Sequence, residues 1–371
     1  QRAVAQALGV EVDTVKVHVT LLGGGFGRKA QPDFAVEAAL LARILERPVQ
    51  VAWTREDDIH NDYFHACSAQ YFKAGLNESG AITAWLAREA TPPISSISTA
   101  GANTRSDGDL SQTFASVPFA VPNLQIESHE ADAYTRIGWL RSVFNLPYAF
   151  GVGTFVDELA HAVGRNPLDF WLELIGEDRK LDFAPEGFKF SNHGKSLQDY
   201  PYDTGRFKNT IRSLAGTIPL DKELPDGQGW GLAAMRSFLS YVAVASKVEI
   251  NDGRLRVLEM HCAIDAGTVV NPDRVHAQLE GAMIFGLSAA LMGEITFADG
   301  AAEQSNFHDY PVARINQVPD VMRTHIIPGK ALPTGVGEPG VPPVAPSIGN
   351  AIFAASGRRV REFPFNKHFR V

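Results

Sequence analysis

The chain has 371 residues, of which 45% are apolar and 20% are charged, and its net charge is −8 at neutral pH. This balance is typical of a globular protein of about two domains, and the absence of a basic patch disfavours nucleic acid and anionic membranes as partners. Only Cys67 and Cys262 are present, which disfavours a disulfide framework, a Cys-based zinc site and an iron-sulfur cluster held by this chain.

The start of the chain carries no targeting pattern. No apolar run approaches the ~20 residues of a membrane-spanning helix, and the first segment, QRAVAQALGVEVD, lacks the charged and then apolar pattern of an export signal. Residue 1 falls within a predicted helix that ends at Gly9. We therefore expect a processed product or one piece of a longer protein, and the cytoplasm and the periplasm both stay open as its compartment.

The residues that follow predict a strand, a glycine-rich turn, a helix and a second strand. Val15, Val17 and Val19 alternate with polar residues, which is the period of a half-buried strand. Apolar residues at helical spacing begin after Pro32 and stop at Pro48. The segment PVQVAW then predicts the second strand, and YFKAGLNESGAITAWLA predicts a hairpin.

Two adjacent helices are predicted in the middle of the chain. An amphipathic pattern runs from Pro147 to Val163, and Asn166 caps a further helix over NPLDFWLELIG. Residues 90–130 lie before these helices and are rich in Ser, Thr, Gly and Pro, so they predict loops and short strands.

A polar, turn-rich stretch at 176–229 predicts a linker or insertion between a first half at 1–175 and a second half at 230–371. The second half predicts strands over VASKVEI and RLRVLEMHCAID, a helix from Asn271, a strand near VMRTHII and a last helix after Pro346. Strands and helices mixed in this way, with hairpins among them, predict an α+β fold.

The stretch LLGGGFGRKAQPDF, residues 21–34, is open to two interpretations. A glycine-rich turn before a helix can bind a phosphate through backbone N–H groups, and a dinucleotide-binding interpretation takes Glu56, Asp57 and Asp58 as ribose ligands. The spacing is not G-x-G-x-x-G, however, and the stretch lacks the Ser or Thr of a P-loop. A tight turn at a close crossing of two backbones accounts for the glycines as well.

Two stretches of the second half place polar residues among glycines. Glu338 lies within GVGEPG, where a carboxylate could take a proton or face solvent in a turn. Gly281 and Gly286 interrupt the helix that begins at Asn271, at a cost of up to ~1 kcal/mol each relative to Ala, which a packed neighbour or a ligand would explain. Gln278 and Glu280 beside them could bind a polar cofactor or lie on the surface.

One cation and the histidines complete the candidates. Arg141 lies among apolar residues in GWLRSVFN, where a buried guanidinium would pair with an anionic ligand or form a plain salt bridge. The histidines are scattered and no G-x-S-x-G elbow is present, so the sequence favours neither a zinc protease nor an α/β-hydrolase.

Taken in order, seven stretches resemble the molybdenum-binding subunit of the xanthine dehydrogenase and aldehyde oxidase family of molybdenum hydroxylases. The resemblance is closest to the branch of the isoquinoline 1-oxidoreductase beta subunit, and it implies that family's α+β cofactor-binding architecture. The stretches are LLGGGFGRK, VAWTREDDIHNDY, GWLRSVFN, FVDELAHAVGRNPLDF, NPDRVHAQLEGAMIFGLSAAL, SNFHDYPVAR and GVGEPGVPPVAPSIGNAIFAASG.

The resemblance implies roles for the residues that the patterns had left open. Gly25, Phe26 and Gly27 would face the molybdenum centre and its pterin. Arg141 would lie beside the cofactor, and Gln278 would form a hydrogen bond with the pterin. No residue of this chain would ligate the metal, because the pterin dithiolene holds it in this family.

The resemblance also implies the reaction. Glu338 occupies the position of the general base, in an oxidoreductase that hydroxylates an aldehyde or an N-heteroaromatic carbon with oxygen from water. The cofactor implied is molybdopterin cytosine dinucleotide with molybdenum. Electrons would leave through iron-sulfur clusters on a partner chain, because two cysteines cannot hold them here.

The sequence departs from the family pattern at three places. Xanthine-oxidising relatives have a glutamate where Ala30 stands and a phenylalanine near the place of Val143, so purine oxidation is disfavoured. The family's G-Q-G stretch is absent, so we expect a further chain or a removed N-terminal segment to complete the cofactor site. A nicotinamide-dependent dehydrogenase and an inactive, cofactor-free scaffold are the alternative functions.

Overall fold

The computed structural model describes residues 1–184, 187, 189–220 and 222–371. The helices of these residues are α1 Arg2–Leu8, α2 Asp33–Leu45, α3 Arg55–Asn61, α4 Asp107–Ser111, α5 Asn145–Ala162, α6 Pro167–Ile175, α7 Thr204–Ala215, α8 Pro272–Met292 and α9 Val344–Ser356. The strands are β1 Ala69–Leu76, β2 Ile82–Ala90, β3 Asn123–His129, β4 Lys180–Leu181, β5 Tyr202–Asp203, β6 Gln228–Ser237, β7 Ser240–Asn251, β8 Arg254–Asp265, β9 Phe297–Ala298, β10 Ala301–Ala302 and β11 Val321–Ile326.

A mixed sheet with the strand order β11-β8-β7-β6 organises the second half of the described chain. β6, β7 and β8 form an antiparallel meander, and β11 joins β8 in parallel. Helix α9 lies directly against the sheet, because a Cβ added at Gly231 would come within 2.2 Å of the carbonyl oxygen of Ser347. Glycine at this position therefore sets the distance between α9 and the sheet.

The central strand β7 is buried on both faces and separates two hydrophobic cores. Tyr241 and Ala243 belong to a core with α5, α6 and α7, whereas Val242 and Val244 belong to a core with α8 and α9. All four side chains are fully buried. The two-residue period of a strand assigns alternate side chains to opposite faces, so one strand supports helices on both sides.

A second sheet with the order β1-β2-β3 lies in the first half. β1 and β2 form the predicted hairpin, and the Asn77 side chain accepts hydrogen bonds from the backbone of Ser79 and Ala81 in its turn. Trp85 of β2 is buried among the aromatic rings of Phe72, Phe119 and Phe155. This cluster joins the second sheet to helix α5.

The sequence predictions with clear end signals are confirmed. The Asn166 side chain accepts a hydrogen bond from Leu168 N at the start of α6, and the Asn271 side chain accepts one from Arg274 N at the start of α8. Helix α9 begins at Val344, slightly before the predicted start. The α+β class is also confirmed.

The stretch at 176–229 contains more structure than the prediction of a polar linker suggests. Helix α7 lies within it and buries Phe207, Ile211 and Leu214 against the core that contains Tyr241. Four residues of this stretch fall outside the described residues. The division into 1–175, 176–229 and 230–371 stays a prediction.

Two predicted strands near the N-terminus are wrong for the chain as folded. The segments 15–22 and 48–53 form no strand, and within the described chain residues 16–22 and 48–53 make no backbone–backbone hydrogen bond. The alternation of apolar and polar side chains is present in the first segment, but a strand exists only when a neighbouring strand takes up its N–H and C=O groups. The described residues supply no such neighbour.

Among the described residues, one helix has the length and apolar composition of a membrane-spanning helix, and this helix is α8. Half of its most apolar window is buried inside the protein. Val275, Leu279, Met283 and Leu287 of this helix pack into the core shared with α9.

Candidate cofactor site and general base

The glycine loop is held against the chain segment that leads to Arg141. Gly27 has a φ of 95°, and a Cβ at this position would lie 2.0 Å from the carbonyl oxygen of Trp139. Only glycine fits this close crossing of two backbones. The interpretation as a close crossing of two backbones is therefore confirmed for Gly27, and the crossing places the loop beside Arg141.

Arg141 joins two other segments of the chain. Its Nε donates to the carbonyl oxygen of Gly337 at 2.8 Å, and its Nη2 donates to the backbone oxygen and the Oε1 of Gln278 at 3.2 and 3.1 Å. The residue is only 7% exposed, and burial lowers the pKa of its guanidinium while the nearby charge of Glu338 opposes this effect. A plain salt bridge is not formed, because no carboxylate of the described residues lies within ion-pair distance.

Two aromatic rings complete the surroundings of Arg141. Phe26 of the glycine loop stacks on Phe285 of α8, with ring centroids 5.8 Å apart and planes inclined by 8°. The guanidinium carbon of Arg141 lies 5.9 and 5.7 Å from these two rings, within the range of a cation–π contact. Phe26 is nevertheless 53% exposed, so its ring is available to a ligand.

Glu338 is half-buried and its carboxylate is fixed by the residue that follows Arg141. Ser142 N donates to Glu338 Oε1 at 3.0 Å, and Ser142 Oγ donates to the backbone oxygen of Glu338 at 2.7 Å. In the described structure Oε2 makes no hydrogen bond. Ser142 and Val143 have φ angles of 81° and 50°, a strained turn of the kind that clusters at functional sites.

A half-buried histidine and a buried arginine support the turn at residues 141–144. His65 Nε2 lies 2.9 Å from the carbonyl oxygen of Val143, and burial lowers the pKa of His65, so a neutral imidazole donates this hydrogen bond. The guanidinium of Arg105 lies 4.1 Å from the ring centroid of Phe144 and forms a buried ion pair of 2.7 Å with Glu89. The turn is therefore held by His65 and Arg105 as well as by Glu338.

The two glycines of α8 have different surroundings. A Cβ at Gly286 would lie 2.7 Å from the Cβ of Val344, so the glycine permits close packing at the start of α9. A Cβ at Gly281 would meet only Arg141 Nη1, at 3.9 Å, among the described atoms. Space therefore remains at Gly281, beside the candidate site.

The structure brings together the residues to which the resemblance assigns a role at the site. Gly25 is half-buried in the loop, and Gln278 lies at the surface with its Oε1 held by Arg141. Glu280 is exposed and has no partner within the described chain. The members of the cluster are Gly25, Phe26, Gly27, Arg141, Gln278 and Glu338, and their roles stay predictions.

The acidic residues of the dinucleotide-binding interpretation serve another purpose. Asp57 closes a capping box with Thr54 at the start of α3, and Glu56 accepts a hydrogen bond from Asn306. No strand precedes the glycine loop in the described structure, so the strand–turn–helix context of a dinucleotide site is missing.

Ser142, His65 and Arg105 were missed by the sequence analysis. Ser142 stands next to Arg141 in GWLRSVFN, but its positive φ leaves no mark on a pattern of apolar and polar residues. His65 and Arg105 act across long separations in sequence, which local spacing cannot reveal.

An open cavity of about 1090 Å³ lies beneath the same turn. Its lining includes His65, Leu140 and Leu146 but neither Arg141 nor Glu338. We therefore treat it as separate from the candidate site.

The residues present fit a bulky anionic cofactor. A buried guanidinium without a carboxylate partner, an exposed aromatic ring and a surface amide converge on one place. Among the described residues, no group of three or more His, Cys, Asp or Glu side chains is arranged to hold a metal ion.

Comparison with known proteins agrees with this geometry. Two models of the molybdopterin cofactor-binding domain match residues 1–173 and 208–319. These two matches, which together span most of the chain, show that it belongs to the molybdopterin cofactor-binding family. More specifically, the chain belongs to the molybdenum-binding subunits of the xanthine oxidase family, and the resemblance seen in the sequence is confirmed.

Two curated relatives and one solved structure show how far the similarity extends. The chain is 29% identical to isoquinoline 1-oxidoreductase subunit beta of Brevundimonas diminuta, over 97% of this chain and 44% of that protein. It is 32% identical to a membrane-bound aldehyde dehydrogenase of Gluconacetobacter polyoxogenes, over 97% of this chain and 47% of that protein. Quinoline 2-oxidoreductase from Pseudomonas putida 86 has the same fold, with a TM-score of 0.75, 14% identity, and coverage of 98% of this chain and 69% of that one. The chain spans less than half the length of the two curated relatives.

Proposed function

We propose that this chain is the molybdenum-cofactor-binding part of an oxidoreductase that hydroxylates an aldehyde or an N-heteroaromatic carbon with oxygen from water. The observation that carries the proposal is the position of Arg141, which joins the glycine loop, α8 and the Glu338 loop in one cluster. Two relatives support this choice of substrate classes, because their names are isoquinoline 1-oxidoreductase subunit beta and aldehyde dehydrogenase.

The cofactor would be held by backbone, ring and amide groups. Gly25, Phe26 and Gly27 would face it, and Arg141 would supply a positive charge. Gln278 Oε1 is already bound to Arg141, and Gln278 Nε2 donates to no described protein atom, so the amide nitrogen is free for a pterin acceptor. When bound, the molybdenum centre would supply the oxygen transfer and take up two electrons. The cytosine dinucleotide form of molybdopterin is part of the proposal.

Glu338 would act as the general base of this reaction. Ser142 N holds Oε1 in place, which leaves Oε2 to take a proton from the water-derived oxygen. The backbone of Glu338 is fixed by Ser142 Oγ and by the turn in which Val341 N donates to the Glu338 oxygen at 3.0 Å. A base that is held in this way needs little rearrangement before it reacts.

Partner chains would complete the enzyme. One relative is named as a subunit beta, which supports an assembly of several chains. The two cysteines of this chain cannot hold iron-sulfur clusters, so we place the clusters on a partner. A further chain or segment would complete the cofactor site.

A quinone is the second cofactor candidate. The aldehyde dehydrogenase relative carries pyrroloquinoline quinone in its name, whereas no observation favours a nicotinamide. An inactive scaffold differs from both candidates in having no turnover.

The test is a count of metals in the natively purified assembly. Molybdenum and iron are measured per copy of this chain, and the released nucleotide and any quinone are identified by mass spectrometry. We expect about one molybdenum per copy, cytidine monophosphate after hydrolysis, and iron on a companion polypeptide. An assembly with quinone and without molybdenum would overturn the proposal.

A further inference from the structure

A small cavity of about 30 Å³ lies within the core that packs α5, α6 and α7 against the sheet. Every residue that lines it is buried except Ser116, which is half-buried. The lining includes neither Arg141 nor Glu338, so this cavity is separate from the candidate cofactor site. We call it the core cavity.

Arg236 of β6 lines the core cavity with a charge that no carboxylate of the described residues balances. It is 8% exposed and donates one hydrogen bond, from Nη2 to Asn192 Oδ1 at 2.9 Å, while its buried Nε has no partner among the described atoms. The rings of Tyr202, Tyr241 and Phe190 lie 4.5, 5.8 and 6.0 Å from its guanidinium carbon. Their faces attract the charge, but they leave Nε without an acceptor.

Three further donors without partners line the same cavity. Trp171 Nε1 is buried and makes no hydrogen bond within the described part of the chain. The hydroxyls of Tyr148 and Tyr202 also make none with the residues that the structure describes. Burial raises the pKa of both tyrosines, so both hydroxyls keep their protons. Because buried polar groups are almost always hydrogen-bonded, four such donors around one cavity call for a shared acceptor.

The lining itself supplies no negative charge. It contains no Asp, Glu, Asn or Gln side chain. The nearby carboxylate of Glu89 is already used in the buried ion pair of 2.7 Å with Arg105. Arginine cannot lose its proton in a protein, and a buried charge without a counter-ion is costly. The charge of Arg236 therefore favours an anion over a neutral occupant.

We propose that the core cavity is a binding site for a monatomic halide, with chloride as the ligand. A volume of about 30 Å³ holds one or two water molecules, so one chloride fits, whereas phosphate and organic acids are too large. The ion would accept hydrogen bonds from Arg236, Trp171, Tyr148 and Tyr202. These residues belong to β6, α6, α5 and β5, so the ion would join four elements of one core. The proposal is independent of the proposed function, because it involves neither the cofactor nor Glu338.

Anomalous diffraction from crystals of the purified chain locates the ion. Crystals are grown with sodium bromide in place of chloride, because bromide has the same charge, a similar radius and a strong anomalous signal. We expect one anomalous peak in the core cavity, within hydrogen-bond distance of Arg236. Arg236→Gln should lose the peak. Arg358→Gln should keep it, because Arg358 is an exposed arginine that lies over the ring of Phe369 at 5.2 Å. A water molecule without anomalous signal at this place would overturn the proposal.

Thermal unfolding measures the same binding in solution and does not depend on the folding of Arg236→Gln. Sodium chloride replaces sodium gluconate at constant ionic strength, and gluconate is too large for the cavity. We expect the unfolding temperature to rise with chloride as ligand binding stabilises the folded chain.

A tyrosine variant provides the specific control. Tyr202→Phe removes one donor and keeps the ring, so it should weaken the effective affinity for chloride about 10- to 100-fold. Tyr134→Phe, at a position that is 93% exposed, should respond to chloride as wild type does. An unfolding temperature of wild type that is the same in both salts, or an equal response in Tyr202→Phe and wild type, would contradict the halide site.

Discussion

At the residue scale, the site depends on a few atoms placed by an unusual backbone. Ser142 adopts a φ of 81° and presents its N–H to Glu338 Oε1 and its hydroxyl to the Glu338 carbonyl. One carboxylate oxygen thereby accepts a hydrogen bond, and the other has no hydrogen-bond partner among the described residues. The surroundings of Glu338 in the sequence made it one candidate, and the resemblance to a family predicted its role, but the serine that orients it became visible only in three dimensions.

Removing the carboxylate of Glu338 tests the proposed base. Glu338→Gln keeps the size of the side chain and can keep the hydrogen bond from Ser142, but it cannot take up a proton. We expect turnover to fall by about 10²- to 10⁴-fold, with molybdenum content and thermal stability unchanged. Glu78→Gln, at an exposed position in the turn between β1 and β2, is the matched control and should leave turnover at the wild-type level. Full activity of Glu338→Gln would remove this residue from the reaction.

The pH dependence of stability should include a contribution from His193. Burial, assisted by the charge of Arg236, lowers the pKa of His193 to about 4, whereas an unfolded histidine titrates near pH ~6.5. Between these values the unfolded chain binds a proton that the folded chain does not. The contribution to the free energy of unfolding is complete above pH ~6.5 and is lost as the pH falls toward 4.

Urea unfolding at several pH values measures this contribution. His193→Asn should lose less stability than wild type between pH 6.5 and 4, and Asn tolerates the left-handed φ of 53° at this position. His129→Asn, at an exposed position, is the control and should follow wild type. The same pH dependence in His193→Asn and in wild type would show that this histidine does not contribute.

At the scale of elements, short sequence patterns predicted the features that depend on contacts between residues close together in the chain. The hairpin turn, the caps of α6 and α8 and the α+β class followed from short patterns. Helix α7 was missed because its buried residues are spread through a polar stretch, and their partners lie on distant strands. The strands predicted at residues 15–22 and 48–53 were wrong for the opposite reason, because their sequences suit a strand but the described residues supply no neighbouring strand.

The two glycines of α8 provide a matched test of packing between elements. Gly286→Ala places a methyl group 2.7 Å from Val344, so overpacking should cost about 1–3 kcal/mol against a gain of about 1 kcal/mol in helix propensity. Gly281→Ala has its nearest neighbour at 3.9 Å and should gain up to about 1 kcal/mol. Urea unfolding of the isolated chain measures both, and equal changes in the two variants would contradict the close packing at Val344.

At the scale of the whole molecule, one side chain connects segments that are far apart in sequence. Arg141 contacts Phe26, Gln278 and Gly337. The sequence predicted each of these segments as a candidate, but only the resemblance to a family predicted that they meet. Their contact depends on two cores and a shared sheet, which no local pattern contains.

Replacing Arg141 by lysine tests this connection. Lysine keeps the charge but lacks the planar fork in which Nε donates to Gly337 and Nη2 donates to Gln278, so one ammonium nitrogen does not reproduce this geometry. We expect Arg141→Lys to lower the free energy of unfolding by about 1–3 kcal/mol and to reduce the molybdenum content of the purified assembly several-fold. Arg274→Lys at the exposed start of α8 is the control. A fully loaded Arg141→Lys assembly would argue against a role in holding the cofactor.

In the central strand β7, odd-numbered and even-numbered residues belong to different hydrophobic cores. Residues 241, 243 and 245 fill one core and residues 242 and 244 fill the other, so an insertion or deletion of one residue would exchange the contents of the two cores. Tyrosine and alanine would then face α8 and α9, while valine would face α7. A change of one residue within 241–245 should therefore be tolerated only where a β-bulge absorbs it, as the register shift between Lys247 and Val248 does in the pairing of β7 with β8.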